Sequence, residues 1–275
     1  MRGLSPKPLE GKVALITGAA KRLGKASALA LAQVGADVAI TFLHSEEEAQ
    51  RTVKELESAL GVSVPSVVKG FRKATTEDTA SHRGTHSGRA LAVHCDVTDP
   101  KSVRAAIKTV VQEFGGIDIL VNNAGNYETV EFEDLTLQQW DAIFATNVRG
   151  PFLVSQQALP HLRKRRGRII HMGSLGGLRP WATNAHYCSS KAALHMLTKV
   201  MAKALAPDIA VNCVAPGMID LGEKSASGFM KRMATQTPMQ RNGTADDLAE
   251  AVMFFATAPH FITGQVLFVD GGLGL

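Results

Sequence analysis

The chain has few cysteines and few aromatic residues, and both shortages exclude classes of protein. Its 3 cysteines, Cys95, Cys188 and Cys213, cannot all pair, and their spacing matches no metal site. Aromatic side chains are 5% of the chain, too few for a surface that stacks bases, and the basic residues behind the net charge of +5 are scattered. We therefore expect no metal, no nucleic-acid partner and a reducing, cytoplasmic setting.

Long apolar runs are also missing. Residues 1–10 contain Pro6 and Pro8 but no apolar segment of the kind that a signal peptide needs, and no later run is long enough to cross a bilayer. The sequence therefore predicts no membrane association. What the chain does have is a globular composition, with 45% hydrophobic and 20% charged residues, which suits one α/β domain over residues 1–275.

The first motif is an apolar run followed by a glycine-bearing turn. Residues 13–17 form a short aliphatic run typical of a strand buried on both faces, and the pattern of 26–34 predicts a helix. Between them, Gly18 and Gly24 allow the backbone to approach a ligand closely. Unpaired amides at a helix start face an anion. This order of strand, turn and helix indicates a phosphate-binding site.

The second predicted strand, residues 37–42, bears on which dinucleotide would bind. In dinucleotide-binding folds an acid at this strand's end binds the adenine ribose 2′-hydroxyl, whereas basic residues accommodate a 2′-phosphate. Here the run ends in Phe42, not in an acid. Cations and hydrogen-bond donors for a phosphate are available at Lys21, Arg22, His44 and Ser45. Charge complementarity therefore favours NADP(H) over NAD(H).

Residues 62–88 interrupt the alternation of strands and helices. A helix is predicted over 46–60, Gly61 suits its end, and the next strand begins near Ala90. The connection is longer than the ~2–6 residues usual in such folds. A segment that leads from a helix into a strand emerges opposite the crevice where ligands bind. We interpret 62–88 as an insertion that serves as a decoration or an oligomer contact, not as a catalytic lid.

Acid, amide and small residues follow the next two predicted strands. Asp96 comes after residues 90–95, and the Asn-Asn-Ala-Gly segment 122–125 comes after residues 117–121. The carboxyl ends of parallel strands meet at one crevice, where small residues let a flat cofactor lie close. Further strands are predicted over 168–172, 210–214 and 265–269.

A proline lies inside a predicted long helix that Thr136 caps and that runs towards His161. Pro151 has no N–H, so the carbonyl of Asn147 four residues earlier loses its helical donor. The freed acceptor is either a functional device that holds a water or a side chain, or a simple kink.

Tyr187 and Lys191 begin another apolar-periodic run. Their spacing of four residues places both side chains on one face if the helix includes Tyr187. A neighbouring ammonium favours a phenolate, so Lys191 is expected to lower the pKa of Tyr187 from its usual ~10 towards useful acid–base chemistry. Taken alone, the pair is more typical of a tyrosine that anchors a packed helix.

Together and in order, these motifs resemble the short-chain dehydrogenase/reductase family over about residues 11–272. The resemblance rests on the glycine turn at 17–24, Asp96, segment 122–125, Asn147, Ser174 and the pair Tyr187 and Lys191, and Pro216-Gly217 and segment 270–272 agree with it. It implies a Rossmann-type, doubly wound α/β fold, with about seven mostly parallel strands, helices on both faces of the sheet and a nicotinamide cofactor.

The resemblance also implies roles. Tyr187 would give a proton to the substrate carbonyl oxygen, and Ser174 would hydrogen-bond that oxygen where charge develops. Lys191 would hold the nicotinamide ribose, Asp96 would meet the adenine amino group, and the Asn147 carbonyl would hold a relay water. The implied cofactor contacts, besides Tyr187 and Lys191, are Gly18, Lys21, Arg22, Leu23, Gly24, His44, Ser45, Asp96, Val97, Asn123, Ala124, Gly125, Pro216, Gly217 and Ile219.

Comparison with family patterns narrows the activity. Arg22 stands where many members of the family have a glycine. The same replacement of glycine is seen in NADP-dependent members and in pteridine reductases. Leu221 replaces the threonine that usually follows Pro-Gly, which weakens the expected grip on the carboxamide. Pteridine reductases typically have aspartate at the position of Ser174, so simple carbonyl reduction is favoured over pterin reduction. Oxoacyl-carrier-protein reductases are close in pattern. The four acids within 127–135 should repel an acidic carrier, while Arg149 and Arg179 leave this alternative open.

The predicted function is therefore NADPH-dependent reduction of a ketone or aldehyde, with a small-molecule carbonyl or alcohol as substrate. The alternatives are 3-oxoacyl-carrier-protein or pteridine reduction within the family, and a non-catalytic, cofactor-sensing protein outside it. Relatives are usually dimers or tetramers, so a homodimer or homotetramer is expected. The apolar face formed by Leu194, Leu197, Met201 and Leu205 fits such pairing and fits core packing equally well.

Overall fold

The computed structural model describes residues 7–61, 88–222 and 227–275. Apart from Gly88, the predicted insertion 62–88 lies outside the described residues. In the described part of the chain, no helix combines the length and the apolar character that a bilayer span requires.

The described residues form one sheet of seven parallel strands in the order β3-β2-β1-β4-β5-β6-β7. The strands are β1 (Val13–Ile16), β2 (Asp37–Phe42), β3 (Ala90–His94), β4 (Ile119–Asn122), β5 (Arg168–Met172), β6 (Ala210–Pro216) and β7 (Val266–Val269). The order reverses at β1, which pairs with β2 on one side and with β4 on the other. Ligands of such sheets bind at the reversal. The Rossmann-type, doubly wound fold is confirmed.

Helices cover both faces of the sheet. They are α1 (Arg22–Gln33), α2 (Glu46–Leu60), α3 (Pro100–Phe114), α4 (Leu137–Phe144), α5 (Gly150–Arg165), α6 (Ala185–Leu205), α7 (Ser227–Gln236) and α8 (Ala245–Thr257). One core layer packs α1 and α8 against the sheet and includes Ile16 and Val252. The other packs α3 and α5 against the opposite face and includes Leu15 and Leu162. Alternate residues of β1 thus enter opposite layers, as period-2 geometry requires.

Helix α1 begins four residues before the predicted start, at Arg22 instead of residue 26. The apolar pattern misses the first turn because that turn faces the cavity at the end of the sheet rather than the core. Arg22 has φ of 55°, in the left-handed region that glycine adopts most easily.

The long helix predicted after Thr136 is interrupted. Thr136 forms a capping box with Gln139 at the start of α4, as expected for a helix cap. Residues Ala145–Arg149 then form a π-helical turn, in which the N–H of Gly150 donates to the carbonyl of Ala145. Helix α5 follows directly, with Pro151 in its first turn. The irregularity inferred from the proline is confirmed, and it places Asn147 in a π-bulge, a feature frequent at functional sites.

Helix α6 includes Tyr187, so the predicted shared face with Lys191 is confirmed. The structure divides the predicted apolar face of this helix, because Leu197 lines a surface groove while other members of the face are buried. Leu194 and Leu205 are buried in the monomer, so they serve core packing. The large apolar side chains that α6 leaves exposed are Met196 and Val200.

Candidate active site

A cavity of about 650 Å³ opens at the carboxyl ends of β1, β2 and β4, where the strand order reverses. Its volume lies within the ~300–1,000 Å³ typical of ligand sites. Twelve of the predicted cofactor contacts line it: Gly18, Lys21, Arg22, Leu23, Gly24, His44, Ser45, Asp96, Val97, Asn123, Ala124 and Gly125. Sheet topology thus brings together segments that are about 100 residues apart in sequence.

The glycine turn packs directly against the segment that follows β4. A Cβ on Gly18 would lie 2.9 Å from the Cα of Ala124, and a Cβ on Gly24 would lie 2.5 Å from Nδ2 of Asn123. That amide nitrogen donates to the carbonyls of Thr17 (2.8 Å) and Gly18 (2.9 Å). Side chains at either glycine would separate the two segments that form the cavity floor.

The amino end of α1 has the properties of an anion site. Its N-cap residue, Lys21, makes no side-chain cap, and its first turn contains no acid. The amides at a helix start and the helix dipole both favour a phosphate at this end. The cations of Lys21 and Arg22 and the polar side chains of His44 and Ser45 lie on the same wall. These residues fit the phosphates of a dinucleotide.

Asp96 is oriented by its own turn. Its Oδ1 accepts hydrogen bonds from the amide (2.8 Å) and the hydroxyl (2.7 Å) of Thr98. The backbone amide of Asp96 donates to the hydroxyl of Ser102. The carboxylate lines the cavity near Phe42 and Val97, which are largely buried. This arrangement suits recognition of an adenine edge by a fixed carboxylate and apolar neighbours.

The side chain of Asn147 links the π-turn to two other segments. Its Oδ1 accepts from the amide of Asn126 (2.8 Å), and its Nδ2 donates to the carbonyl of Asn126 (2.9 Å) and to Oγ of Ser190 (3.0 Å). Ser190 in turn donates to the carbonyl of Tyr187 (2.7 Å). Asn126 and Ser190 were not predicted as site residues. Ser190 lies one helical turn after Tyr187, on the same side of α6, and this spacing could have indicated it.

Lys191 is buried beneath the cavity floor. Its Nζ donates to the carbonyl of Met172 (2.8 Å), at the end of β5. A Cβ on Gly125 would lie 3.6 Å from this Nζ and 3.2 Å from Oδ1 of Asn147, so Gly125 is the point where the cavity meets the catalytic candidates. Burial lowers the pKa of Lys191 to about 8.

Ser174 and Tyr187 lie together at the edge of the site. The Ser174 hydroxyl oxygen accepts a hydrogen bond from the amide of Gly176 (3.0 Å). Burial raises the pKa of Tyr187 to about 12, and a hydrogen bond with Ser174 acts in the opposite direction. The prediction that Lys191 lowers this pKa is wrong for the structure. Its Nζ lies 5.7 Å from the centre of the Tyr187 ring and bonds to Met172, so desolvation dominates.

Aromatic rings surround the Tyr187 phenol. Tyr127 meets it edge-to-face, with ring centres 4.9 Å apart and planes at 85°. Trp181 lies parallel to it, with ring centres 6.5 Å apart. The loop that carries Tyr127 is held to the start of α6, because Nδ2 of Asn184 donates to the carbonyl of Glu128 (2.7 Å). The entrance therefore offers a carbonyl substrate an apolar, aromatic wall.

Besides Tyr187 and Lys191, three predicted cofactor contacts do not line the cavity. Gly217 bonds through its amide to the carbonyl of Val269 (3.0 Å), and Ile219 forms a bridge with Gly243. Pro216 ends β6. Leu221, in contrast, does line the cavity, which supports the alignment of this position with the family threonine. Contacts of 216, 217 and 219 with a cofactor stay predictions.

Of the three cysteines, Cys95 lines the cavity. Burial raises the pKa of Cys95 to about 11 and that of Cys213 to about 12, so both are packed thiols. Cys188 is half-buried. All three are unpaired.

The chain matches two known family models and several known proteins. A family model described as enoyl-(acyl carrier protein) reductase matches residues 66–274, and one described as short chain dehydrogenase matches residues 12–69. A 3-oxoacyl-(acyl-carrier-protein) reductase of Staphylococcus aureus is 36% identical, over 95% of this chain and 98% of that protein. A Thermotoga maritima protein of the same name is 34% identical, over 96% and 98%.

Solved structures show the same likeness. A short-chain dehydrogenase/reductase from Serratia marcescens has a TM-score of 0.83 at 33% identity, covering 98% of this chain and 100% of that one. A gluconate 5-dehydrogenase from Burkholderia cenocepacia, in complex with NADP and tartrate, has a TM-score of 0.83 at 31% identity, covering 99% and 98%. The chain, with its parallel sheet, its glycine turn and its Ser174, Tyr187 and Lys191, belongs to the short-chain dehydrogenase/reductase family of oxidoreductases.

Proposed function

We propose that the protein reduces a ketone or aldehyde with NADPH and that Tyr187 is the proton donor. One observation carries the proposal: Ser174 hydrogen-bonds to Tyr187, and the Lys191 ammonium lies 5.7 Å from the Tyr187 ring and next to Gly125, a residue that lines the dinucleotide-sized cavity. Acid–base chemistry at a carbonyl needs such a positioned donor next to a cofactor site.

The residues divide the work as follows. NADPH, when bound, supplies the hydride. Tyr187, whose pKa of about 12 keeps it protonated at neutral pH, gives its proton to the carbonyl oxygen. Ser174 donates a hydrogen bond to the same oxygen, and its own oxygen already accepts from Gly176, which polarises the hydroxyl. Lys191 places a positive charge below the site and binds the ribose hydroxyls.

Charge on one cavity wall supports NADP(H) over NAD(H). Lys21 and Arg22 provide cations beside the end of β2, and that strand ends in Phe42 and is followed by Leu43 instead of an acid. A 2′-phosphate would find donors here, whereas the ribose hydroxyl of NAD would find no carboxylate from this strand end. NADP in the gluconate 5-dehydrogenase structure agrees with this preference.

A second candidate activity is reduction of a 3-oxoacyl group on a carrier protein, because curated relatives at 36% identity bear that name. The entrance loop opposes it. Four acids of this loop are exposed: Glu128, Glu131, Glu133 and Asp134. An acidic carrier would approach them against repulsion, whereas a small neutral carbonyl would not. We therefore favour a free carbonyl substrate.

The test is loss of turnover in Tyr187→Phe. Removing the donor is expected to lower kcat for carbonyl reduction by at least about 100-fold, the usual contribution of general acid catalysis. NADPH affinity, measured by nucleotide fluorescence, should stay within about twofold. NADPH oxidation is followed at 340 nm over free ketones, aldehydes and carrier-linked 3-oxoacyl substrates.

Ser189→Ala is the matched control, since Ser189 is exposed on the same helix. Turnover by Tyr187→Phe equal to that of the control would remove Tyr187 from the mechanism. Activity confined to carrier-linked substrates would favour the second candidate instead.

A further inference from the structure

His195 contacts the turn that carries Ser174. It lies on α6 one helical turn after Lys191 and is 9% exposed. Its Nε2 accepts a hydrogen bond from the backbone amide of Ser174 at 3.5 Å. The two residues are 21 positions apart, so this contact depends on the packing of α6 against the end of β5.

The imidazole fills the space that two glycines leave free. A Cβ on Gly173 would lie 2.5 Å from Nε2 of His195, and a Cβ on Gly177 would lie 2.6 Å from its Cε1. Glycines therefore stand on both sides of Ser174 where the ring packs. Phe268 of β7 closes another side of the ring, edge-to-face with centres 5.8 Å apart. The ring is held in one place between the turn and the sheet.

His195 is a neutral acceptor at physiological pH. Burial, and then the positive charges of Lys191 and Lys199, lower the pKa of His195 to about 4. A neutral imidazole has one acceptor nitrogen. Because the Ser174 amide points to Nε2, the proton is assigned to Nδ1.

We propose that His195 is a positioning residue for the Ser174 hydroxyl, and this inference rests on the proposed catalytic role of Ser174. His195 holds the Ser174 backbone at its amide, and the Gly176 amide holds the same residue at its hydroxyl oxygen (3.0 Å). Between these two points the backbone is extended, with φ of −169° and ψ of 152°. The hydroxyl proton is thereby directed towards the substrate side of Tyr187.

The size of the expected effect follows from geometry. A catalytic group that moves by about 1 Å can lose roughly 100-fold in rate. Loss of one of two anchors is a smaller disturbance, so we expect His195→Leu to lower kcat roughly tenfold. The KM for NADPH should change by less than about twofold, because His195 does not line the dinucleotide cavity.

A double-mutant cycle separates positioning from general damage. His195→Leu removes the acceptor but keeps an apolar side chain, and His195→Gln restores an amide oxygen that can accept from Ser174. Both are made in the parent and in the Ser174→Ala background. If His195 acts through Ser174, His195→Leu lowers kcat by less than about twofold in the Ser174→Ala background. In the parent background, His195→Gln recovers most of the parent kcat.

Thr198→Val is the control, because Thr198 is buried on the same helix and its hydroxyl bonds to the carbonyl of Leu194 (2.9 Å) and to the thiol of Cys213, whereas the amide of Ser174 bonds to His195. Thermal melts of all variants show which ones are folded, and His195→Gln serves if His195→Leu does not fold. Equal, additive losses in both backgrounds would overturn the inference and leave the proposed function intact. Unchanged turnover in Ser174→Ala would overturn both.

Discussion

Lys191 is the residue whose environment is least usual for its chemistry. Its ammonium is buried and donates to the Met172 carbonyl, and within the described part of the chain it forms no ion pair with a carboxylate. Burial, and then the positive charge of Lys191, lowers the pKa of two nearby histidines, His171 to about 3 and His195 to about 4. A charge kept without a counter-ion costs stability and is typical of functional sites.

Stability should therefore depend on pH through Lys191. The pKa of Lys191 is lowered from 10.5 to about 8 in the folded protein, so the unfolded chain binds more protons between pH 8 and 10.5. The penalty is fully present below pH 8 and disappears as the pH rises towards 10.5. Removing the charge with Lys191→Met should stabilise the protein most at neutral pH.

The measurement is the free energy of unfolding in urea for parent and Lys191→Met. The difference between them should shrink by about 2 kcal/mol between pH 7 and pH 10, at about 1.4 kcal/mol for each unit of pKa shift. Taking the difference removes the opposite effect of Tyr187, whose raised pKa lowers stability above pH 10 in both proteins. A difference that does not change with pH would contradict an uncompensated ammonium.

At the scale of elements, the start of α1 combines a strained backbone with a positively charged side chain at the proposed phosphate site. Arg22 adopts φ of 55°, where a non-glycine residue costs roughly 1–2 kcal/mol. Arg22 nevertheless lines the cavity in which we propose that the 2′-phosphate binds. Strain retained beside a ligand site is expected when the side chain contributes to binding.

Arg22→Gly should separate these two effects. Glycine adopts the same backbone without strain, so the melting temperature should not fall by more than about 2 °C. The KM for NADPH should rise roughly tenfold, because a charge-assisted hydrogen bond to phosphate is worth about 1.5–3 kcal/mol. The KM for NADH should change by less than about twofold.

Lys25→Ala is the control, since Lys25 lies on the same helix and pairs with Glu55 at 2.7 Å. It should leave the ratio of the two KM values unchanged. If Arg22→Gly raises the KM for NADPH and the KM for NADH equally, Arg22 shapes the turn and does not bind the 2′-phosphate.

At the scale of the whole molecule, helices α4 to α6 leave an apolar surface. Phe152 is 44% exposed, Met196 59% and Val200 54%. A groove lined by Phe144, Val148 and Leu197 lies beside them. Contiguous apolar surface of this kind marks an interface, and we propose that two copies of the chain pair here.

Val200→Glu should therefore break the dimer or tetramer. In a two-fold interface the substitution occurs on both chains and buries two unpaired charges, which costs several kcal/mol. Light scattering after size exclusion should then report a monomer. Lys54→Glu, an exposed change of charge on α2, should leave the parent mass. A monomeric parent, or an assembled Val200→Glu, would remove this surface from assembly.

Much of the architecture could be predicted because local patterns carry it. The aliphatic runs gave all seven strands to within two residues, since a strand buried on both faces must be apolar throughout. Helix α2 and its Gly61 end match the prediction residue for residue. The proline argument found the irregular turn at Asn147, because a missing N–H is visible in the sequence itself.

Prediction failed where an effect depends on surroundings from other parts of the chain. The spacing of Tyr187 and Lys191 indicated a lowered pKa for the phenol, but burial raises it to about 12. The contacts of Ser190 with Asn147 and of His195 with Ser174 join residues 43 and 21 positions apart and leave no periodic signal. Leu194 and Met196 look alike in sequence, yet only packing shows that Leu194 faces the core.

The sequence by itself determined the order of strands and helices and the identity of the chemical groups at each strand end, because periodicity, capping and turn residues are local. Tertiary structure alone decided which of those groups meet, which are desolvated and which surfaces stay open. The physical reason is that hydration and electrostatic energy depend on every neighbour within several ångströms, and most of those neighbours come from distant segments of the chain.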